Sequence, residues 1–387
     1  MQHYLDHAAT TPMLPVAIDT WQLGAAELGN ASSIHASGRN ARRIVEESRE
    51  RIAARLGAHP GEVVFTSGAN EADNLAVLGL ARARRAVASR MNRVLVSAVE
   101  HPAVRSAAAQ LATEGFEVVE LPVDGRGLLR LDVLCDDIRH APEQVALLSC
   151  MWANNETGAV QPVAEIAAQA AAHAIPYHCD AAQALGFLPV TFAAAAMPGL
   201  TAMSISGHKV GGPMGIGALL VRKDAAVAPT SYGGGQERRL RSGTVPVALI
   251  ASFAAALEEV VTEREHRAAR LRKLRDMLAD GLRELGAEIV GPTETSHLAP
   301  HICYAVFPAV PAETLLLLLD QAGIAASAGS ACSAGVVQPS EVLLAMGYSA
   351  EQAVSGVRFS LGWTTDADDI DALLQVLPAL LERGASR

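Results

Sequence analysis

With 387 residues, half of them hydrophobic and 19% charged, the chain is too long for one hydrophobic core and too apolar to stay disordered. Its formal net charge of −10 argues against a nonspecific grip on nucleic acid or an anionic membrane, and the Arg-rich pieces ARARR (81–85) and ERRLR (237–241) are too short to reverse that. Five cysteines, at 135, 150, 179, 303 and 332, form neither a CxxC pair nor metal-ligand spacing, so a reducing cytoplasm and no bound metal are expected.

The start, MQHYLDHAATTP, lacks the apolar stretch of a secretory signal. The segment ARRIVEESRERIAARLG (41–57) puts Ile44, Val45, Ile52 and Leu56 on one stripe and predicts an amphipathic helix. Short β-branched runs then alternate with Ala-rich helical segments: EVVF (62–65), RVLVS (93–97), EVVEL (117–121), VALLSC (145–150), IPYHC (175–179), TAMSI (201–205) and GALLV (217–221). Such alternation predicts an α/β fold whose large domain holds a mostly parallel seven-stranded sheet sandwiched by helices, with ligands beyond the strands' carboxyl ends.

After Thr244 the pattern changes. One long helix is expected over about 247–285, then a strand (301–307), a helix (311–322), the loop around Cys332, a helix near 339–346, a strand (357–361) and a terminal helix from about 366. This predicts a smaller α+β C-terminal domain. The expected division is 15–250 for the large domain and 1–14 plus 251–387 for the small one. The longest apolar runs, VPVALIASFAAAL (245–257) and LLLLL (315–319), are too short to span a membrane.

Three strand ends carry chemistry. FTSGANEADN (65–74) runs from a strand through Ser67 and Gly68 into a helix whose first amides, at Ala69 and Asn70, suit a phosphate. In YHCDAAQ (177–183), Asp180 follows a buried strand and needs a cationic partner or hydrogen bonds. In SISGHKVGGPMGIG (204–217), Lys209 sits at a strand end among glycines, where by itself it reads either as a surface lysine of a flexible loop or as a Schiff-base nucleophile. A phosphate turn, a buried acid and a nucleophilic lysine together are the fittings for pyridoxal 5'-phosphate.

The ordered set YLDHAATTP (4–12), NASSIHASGR (30–39), FTSGANEADN, EHPAV (100–104), NNETG (154–158), HCDAAQ (178–183), SISGHK (204–209), GGGQERRLRSGT (233–244), AGSAC (328–332) and RFSLG (358–362) resembles the cysteine desulfurases of the class V aminotransferase superfamily. The resemblance covers nearly the whole chain and implies the pyridoxal-phosphate-dependent transferase fold of type I. It implies that L-cysteine is the substrate and that the chain works as a homodimer with a sulfur-acceptor or scaffold protein. Lys209 would bind the cofactor's aldehyde, His101 would stack on its ring and carry protons, and Asp180 would pair with the ring nitrogen. Gln183 and Asn155 would address the ring hydroxyl and the substrate side, and Arg358 the substrate carboxylate. Ala69, Asn70, Ser206 and His208 would hold the phosphate, with Thr244 reaching it from the neighbouring subunit. Asn70, Ala182 and Trp363 depart from the family's usual residues.

The resemblance also gives Cys332 a task, receiving the substrate's sulfur as a persulfide. Its Ala/Ser/Gly neighbours suit a loop that must reach inward and outward. The stretch CSAGVVQP, which places Pro339 seven positions after Cys332, resembles the family's longer-loop group. A selenocysteine lyase, or another class V aminotransferase or lyase, is the alternative reading.

Overall fold

A computed structural model describes residues 3–329 and 338–385; Cys332 lies outside the described residues. After the short strand β1 (His3–Tyr4), helices α1 (Pro15–Ala26) and α2 (Ala36–Leu56) precede the strand–helix series. That series runs β2 (Val63–Thr66), α3 (Ala69–Val87), β3 (Arg93–Ser97), α4 (Pro102–Thr113), β4 (Glu117–Leu121), α5 (Leu131–His140), β5 (Val145–Ser149), α6 (Val163–Ala172), β6 (Tyr177–Asp180), β7 (Leu200–Ser206) and β8 (Gly217–Val221). The seven strands β2–β8 form one sheet in the order β2-β8-β7-β6-β5-β3-β4.

Every pairing in this sheet is parallel except those of β8, which runs antiparallel to β2 and β7. The reason is local. Residues 207–216 join β7 to β8 without a helix, too short for the crossover that a parallel neighbour needs. The carboxyl ends of β2, β6 and β7 therefore share one edge with the amino end of β8. Register fixes this, pairing Thr66 and Ser206 each with Gly217, and Asp180 with Ser204.

Alternation along the strands feeds two cores. Val64, Val94, Val96, Ala202 and Leu219 pack with α3 and α4. Phe65, Leu95, Tyr177, Met203 and Ile205 pack with α2 and α6, and with α7 (Val247–Thr262). The single helix expected over 247–285 is two helices, because the backbone turns aside at Glu263 (φ −89°, ψ 3°) before α8 (Arg264–Glu284).

A second sheet has the order β12-β13-β10-β9: β9 (Glu288–Val290), β10 (Ile302–Val306), β12 (Ser327–Ala328) and β13 (Gly356–Ser360). The sequence reading missed β9, which has only three residues. Helix α8, the helix Ala312–Gln321 and the terminal helix Ala367–Ala385 supply Leu278, Leu282, Leu315, Leu319, Leu373 and Leu377 to a core of its own. The chain's start joins this side, β1 pairing in parallel with β11 (Ile324–Ala325) and Asp6 bridging to Ser360.

Candidate active site

Because residues 6–12 leave the second sheet and cross to the edge of the first, they deliver backbone carbonyls to the lysine. Lys209 Nζ donates to the carbonyls of Ala8 (2.5 Å) and Ala9 (2.8 Å). Gln183 Nε2 donates to the same Ala8 carbonyl (2.8 Å), and the Ala8 amide donates to Ser360 Oγ (2.8 Å). Burial, seconded by the nearby Arg358 guanidinium, lowers the Lys209 amine to a pKa of about 8.

Asp180 ends β6 and is buried. Its Oδ1 accepts the Ala182 amide (2.8 Å), and no ion pair reaches it among the described residues. Burial, followed by the neighbouring Asp73, raises its pKa to about 6. It is a buried acid in want of a cation. His101 is the N-cap of α4, its Nδ1 accepting the Ala103 amide (3.1 Å), which leaves the neutral ring's proton on Nε2. Desolvation in the cleft lowers its pKa, while Asp180 works the other way. His101 feels the charges of Asp180, Lys209 and Arg358, so these four groups occupy one site.

The turn expected to take a phosphate forms at the edge where β2, β8 and β7 meet. Gly68 caps α3 at φ 156° and ψ −179°, a backbone region open essentially to glycine alone, and no side chain caps the first amides of this 19-residue helix. Gly217 lies beneath, where a Cβ would stand 2.6 Å from the Ile205 carbonyl oxygen and 2.7 Å from Gly68 Cα. Ser206 Oγ is buried and has no hydrogen-bond partner. Glu71 holds the turn by accepting the Ser67 amide (2.6 Å) and Arg241 Nε (3.1 Å).

Other expected residues are arranged differently. His208 Nδ1 is 3.2 Å from Thr10 Oγ1, and burial together with Lys209 lowers its pKa to about 4. Arg358 is buried, with Nη2 on Asp6 (2.9 Å), Nη1 on the Asn155 carbonyl (2.9 Å) and Nε unpartnered. Asn154, by contrast, forms a turn, its Oδ1 accepting the amides of Glu156 and Thr157 (both 2.9 Å). Thr244 is exposed.

Sequence reasoning missed Asp6, Ala8, Ala9 and Glu100. The first three sit inside the quoted YLDHAATTP, yet their partners lie between 175 and 352 residues away. Glu100 precedes His101, and its carboxylate takes the Met151 amide (2.5 Å) in a fully buried setting. Three of the four described cysteines, Cys150, Cys179 and Cys303, are buried, and burial raises each thiol pKa. Among the described residues no group of His, Cys, Asp and Glu is disposed to hold a metal, and no helix is long and apolar enough to cross a membrane.

The residues fit pyridoxal phosphate. Ser206 has a buried hydroxyl with nothing to bond, Gly217 leaves room under an amide-lined turn, and Asp180 lacks a cation.

Comparison with known proteins places this site in context. Residues 3–373 match the family model described as aminotransferase class-V. The chain is 46% identical over 383 residues to an "IscS-like cysteine desulfurase" of Mycobacterium tuberculosis, covering 98% of this chain and 96% of that protein. It resembles a solved structure named "NIFS-LIKE PROTEIN" with TM-score 0.89 and 32% identity, over 99% of this chain and 100% of that one. The structure of "SspA in complex with cysteine" matches with TM-score 0.78 and 31% identity, over 93% of this chain and 99% of that one.

Proposed function

Since the chain belongs to the aminotransferase class-V family, in its cysteine desulfurase branch, we propose that it converts L-cysteine to L-alanine and passes the sulfur to Cys332 as a persulfide. The observation that carries this reading is the meeting of a lowered-pKa lysine amine with a buried, unpaired carboxylate beside an amide-lined turn. When bound, pyridoxal phosphate supplies an aldehyde for the substrate's amino group and a protonated ring that draws off electron density from Cα.

Asp180 would hold the proton on the ring nitrogen, because a cation at that depth favours its ionised form. With its pKa near 8, about a quarter of Lys209 is neutral near pH 7.5, against about one part in a thousand for an ordinary lysine, so Lys209 can take the Cα proton. His101 stays neutral near pH 7 and presents its Nε2 proton to the cleft; protonating Nδ1 would forfeit the bond from the Ala103 amide. Ser206 and the amides of Ala69 and Asn70 would bind the phosphate, with His208 at its side. Gln183 and Asn155 would line the ring and substrate side. Arg358 would grip the substrate carboxylate through its unpartnered Nε, its other nitrogens being held by Asp6 and Asn155.

In the sulfur step the Cys332 thiolate attacks the substrate sulfur. An S–S bond forms, the Cβ–S bond breaks, and the electron pair left on the three-carbon fragment is protonated to give alanine. Burial of Cys150, Cys179 and Cys303 supports Cys332 as the acceptor. We read the chain as a soluble cytoplasmic homodimer, with residues 15–250 as the cofactor unit and 1–14 plus 251–387 as the smaller one, delivering sulfur to an acceptor or scaffold protein. Exposed apolar side chains at Trp21, Leu23, Leu28, Ile34, Met214 and Tyr232, and an outward Thr244, support the dimer.

The test is release of sulfide and alanine from L-cysteine with a thiol reductant, for wild type and Cys332→Ala side by side. Equimolar products that vanish in the variant are expected. Turnover indifferent to the substitution would overturn the persulfide route and favour a lyase acting on another amino acid.

A further inference from the structure

Residues 237–239 hold an unusual backbone. Glu237, Arg238 and Arg239 are three consecutive non-glycine residues with left-handed φ of 43°, 59° and 62°. Each is disfavoured by its own Cβ, so contacts elsewhere must hold the segment. Those contacts lead to the phosphate turn. Glu237 is buried and forms a two-pronged pair with Arg49 (2.8 and 2.9 Å), whose Nη1 also donates to the Val63 carbonyl (2.8 Å). The same carboxylate accepts the amide of Phe65 (2.8 Å). Strand β2 is the edge of its sheet, so Arg49 and Glu237 satisfy the carbonyl and amide that no neighbouring strand pairs.

Four residues further on, Arg241 donates to Glu71, which also takes the Ser67 amide. Burial pushes the Glu71 carboxyl up, but its bonds to Ser67 and Arg241 outweigh that and keep it ionised. Two carboxylates thus clamp residues 65–71, where the phosphate would sit, to residues 237–241. Thr244 follows three residues later and is exposed.

We propose that Glu237 and Glu71 are positioning residues that bind loop 231–244 to the subunit's own phosphate turn, which thereby serves as the fixed anchor from which Thr244 is presented to the partner's site. This rests on the homodimer reading above. The consequence is that disturbing the clamp in a subunit acts on cofactor affinity through Thr244.

A double-mutant cycle on cofactor affinity tests this. Pyridoxal phosphate is titrated into the apo-form of wild type, Glu237→Gln, Thr244→Ala and the double variant, with sedimentation of each. Thr244→Ala should raise Kd about tenfold through loss of a bond to a charged phosphate, and Glu237→Gln about three- to tenfold. The double variant should be within about twofold of the weaker single variant, because both break the same connection. Penalties that multiply, or a Glu237→Gln dimer with wild-type Kd, would overturn the clamp. A wild type that sediments as a monomer, with Thr244→Ala binding as tightly as wild type, would instead overturn the dimer reading. Should Glu237→Gln fail to fold, Arg241→Ala removes the more exposed half of the clamp. It must show the same non-additivity with Thr244→Ala, and multiplying penalties there also overturn the proposal.

Discussion

Replacing Asp73 by asparagine should stabilise this protein at high pH and do so much less in mild acid. Asp73 lies on α3 beneath the sheet, 1% exposed, and neither carboxylate oxygen accepts a hydrogen bond. The Ser204 hydroxyl beside it is 2.9 Å from His178 Nε2, and that ring stands 3.5 Å from Asp73 Oδ1. Burial dominates over the nearby Ser204 hydroxyl, which pulls the other way without completing a well-formed hydrogen bond, and raises the pKa from 3.8 to about 7. A carboxyl raised in the folded state makes folding take up protons between those values, so stability falls as pH climbs through that window. With the unfolded chain at 3.8, the cost of carrying Asp73 is about 2 kcal/mol near pH 5.5 and about 4 kcal/mol near pH 8.

Asparagine cannot ionise, so it escapes this pH-dependent part. Its own unpaired amide costs about 1–3 kcal/mol, equally at both pH values, and cancels from the difference. Buried His178, held near a pKa of 4, takes up a proton on unfolding below about pH 6.5 in wild type and variant alike, so its contribution cancels from the difference. Urea unfolding of the apoprotein near pH 5.5 and near pH 8 should therefore show the Asp73→Asn advantage growing by about 2 kcal/mol. A stability difference independent of pH would refute the claim that Asp73 carries a buried, uncompensated charge. The same substitution should lower the Asp180 pKa, since Asp73 is one of the groups that raise it.

Gly217→Ala should act on the phosphate turn from below, since its Cβ meets the Ile205 carbonyl and the backbone of Gly68. The expected loss is about 1–3 kcal/mol of stability, with weaker pyridoxal phosphate binding measured by titration of the apoprotein. Arg358→Ala should raise the Lys209 pKa from about 8, because removing a nearby cation favours the charged amine. An NMR pH titration of the apoprotein with methyl-labelled lysines reads this directly, and an unmoved or lowered midpoint would contradict it.

The sequence alone decided the seven strands of the large sheet, the three strand-end motifs and the family. Buried strands announce themselves as short β-branched runs, and Lys209, Asp180 and Gly68 each follow one directly, so local pattern sufficed to place them on the same edge. It also singled out Cys332, by composition around it and by resemblance. What the tertiary structure decided is who meets whom. Lys209 is held by carbonyls of Ala8 and Ala9, Arg358 by Asp6, and Glu237 by Arg49 and the amide of Phe65. No periodicity encodes such pairings, because each joins segments between about 170 and 350 residues apart and depends on how the sheet edge, the second sheet and the first residues of the chain come together. The antiparallel turn of β8 and the break at Glu263 belong to the same class, being set by connection length and packing rather than by propensity. In the sequence Asp73 is simply one polar residue within FTSGANEADN. Only the surrounding sheet made it a buried acid, since depth, not identity, sets the cost of its charge.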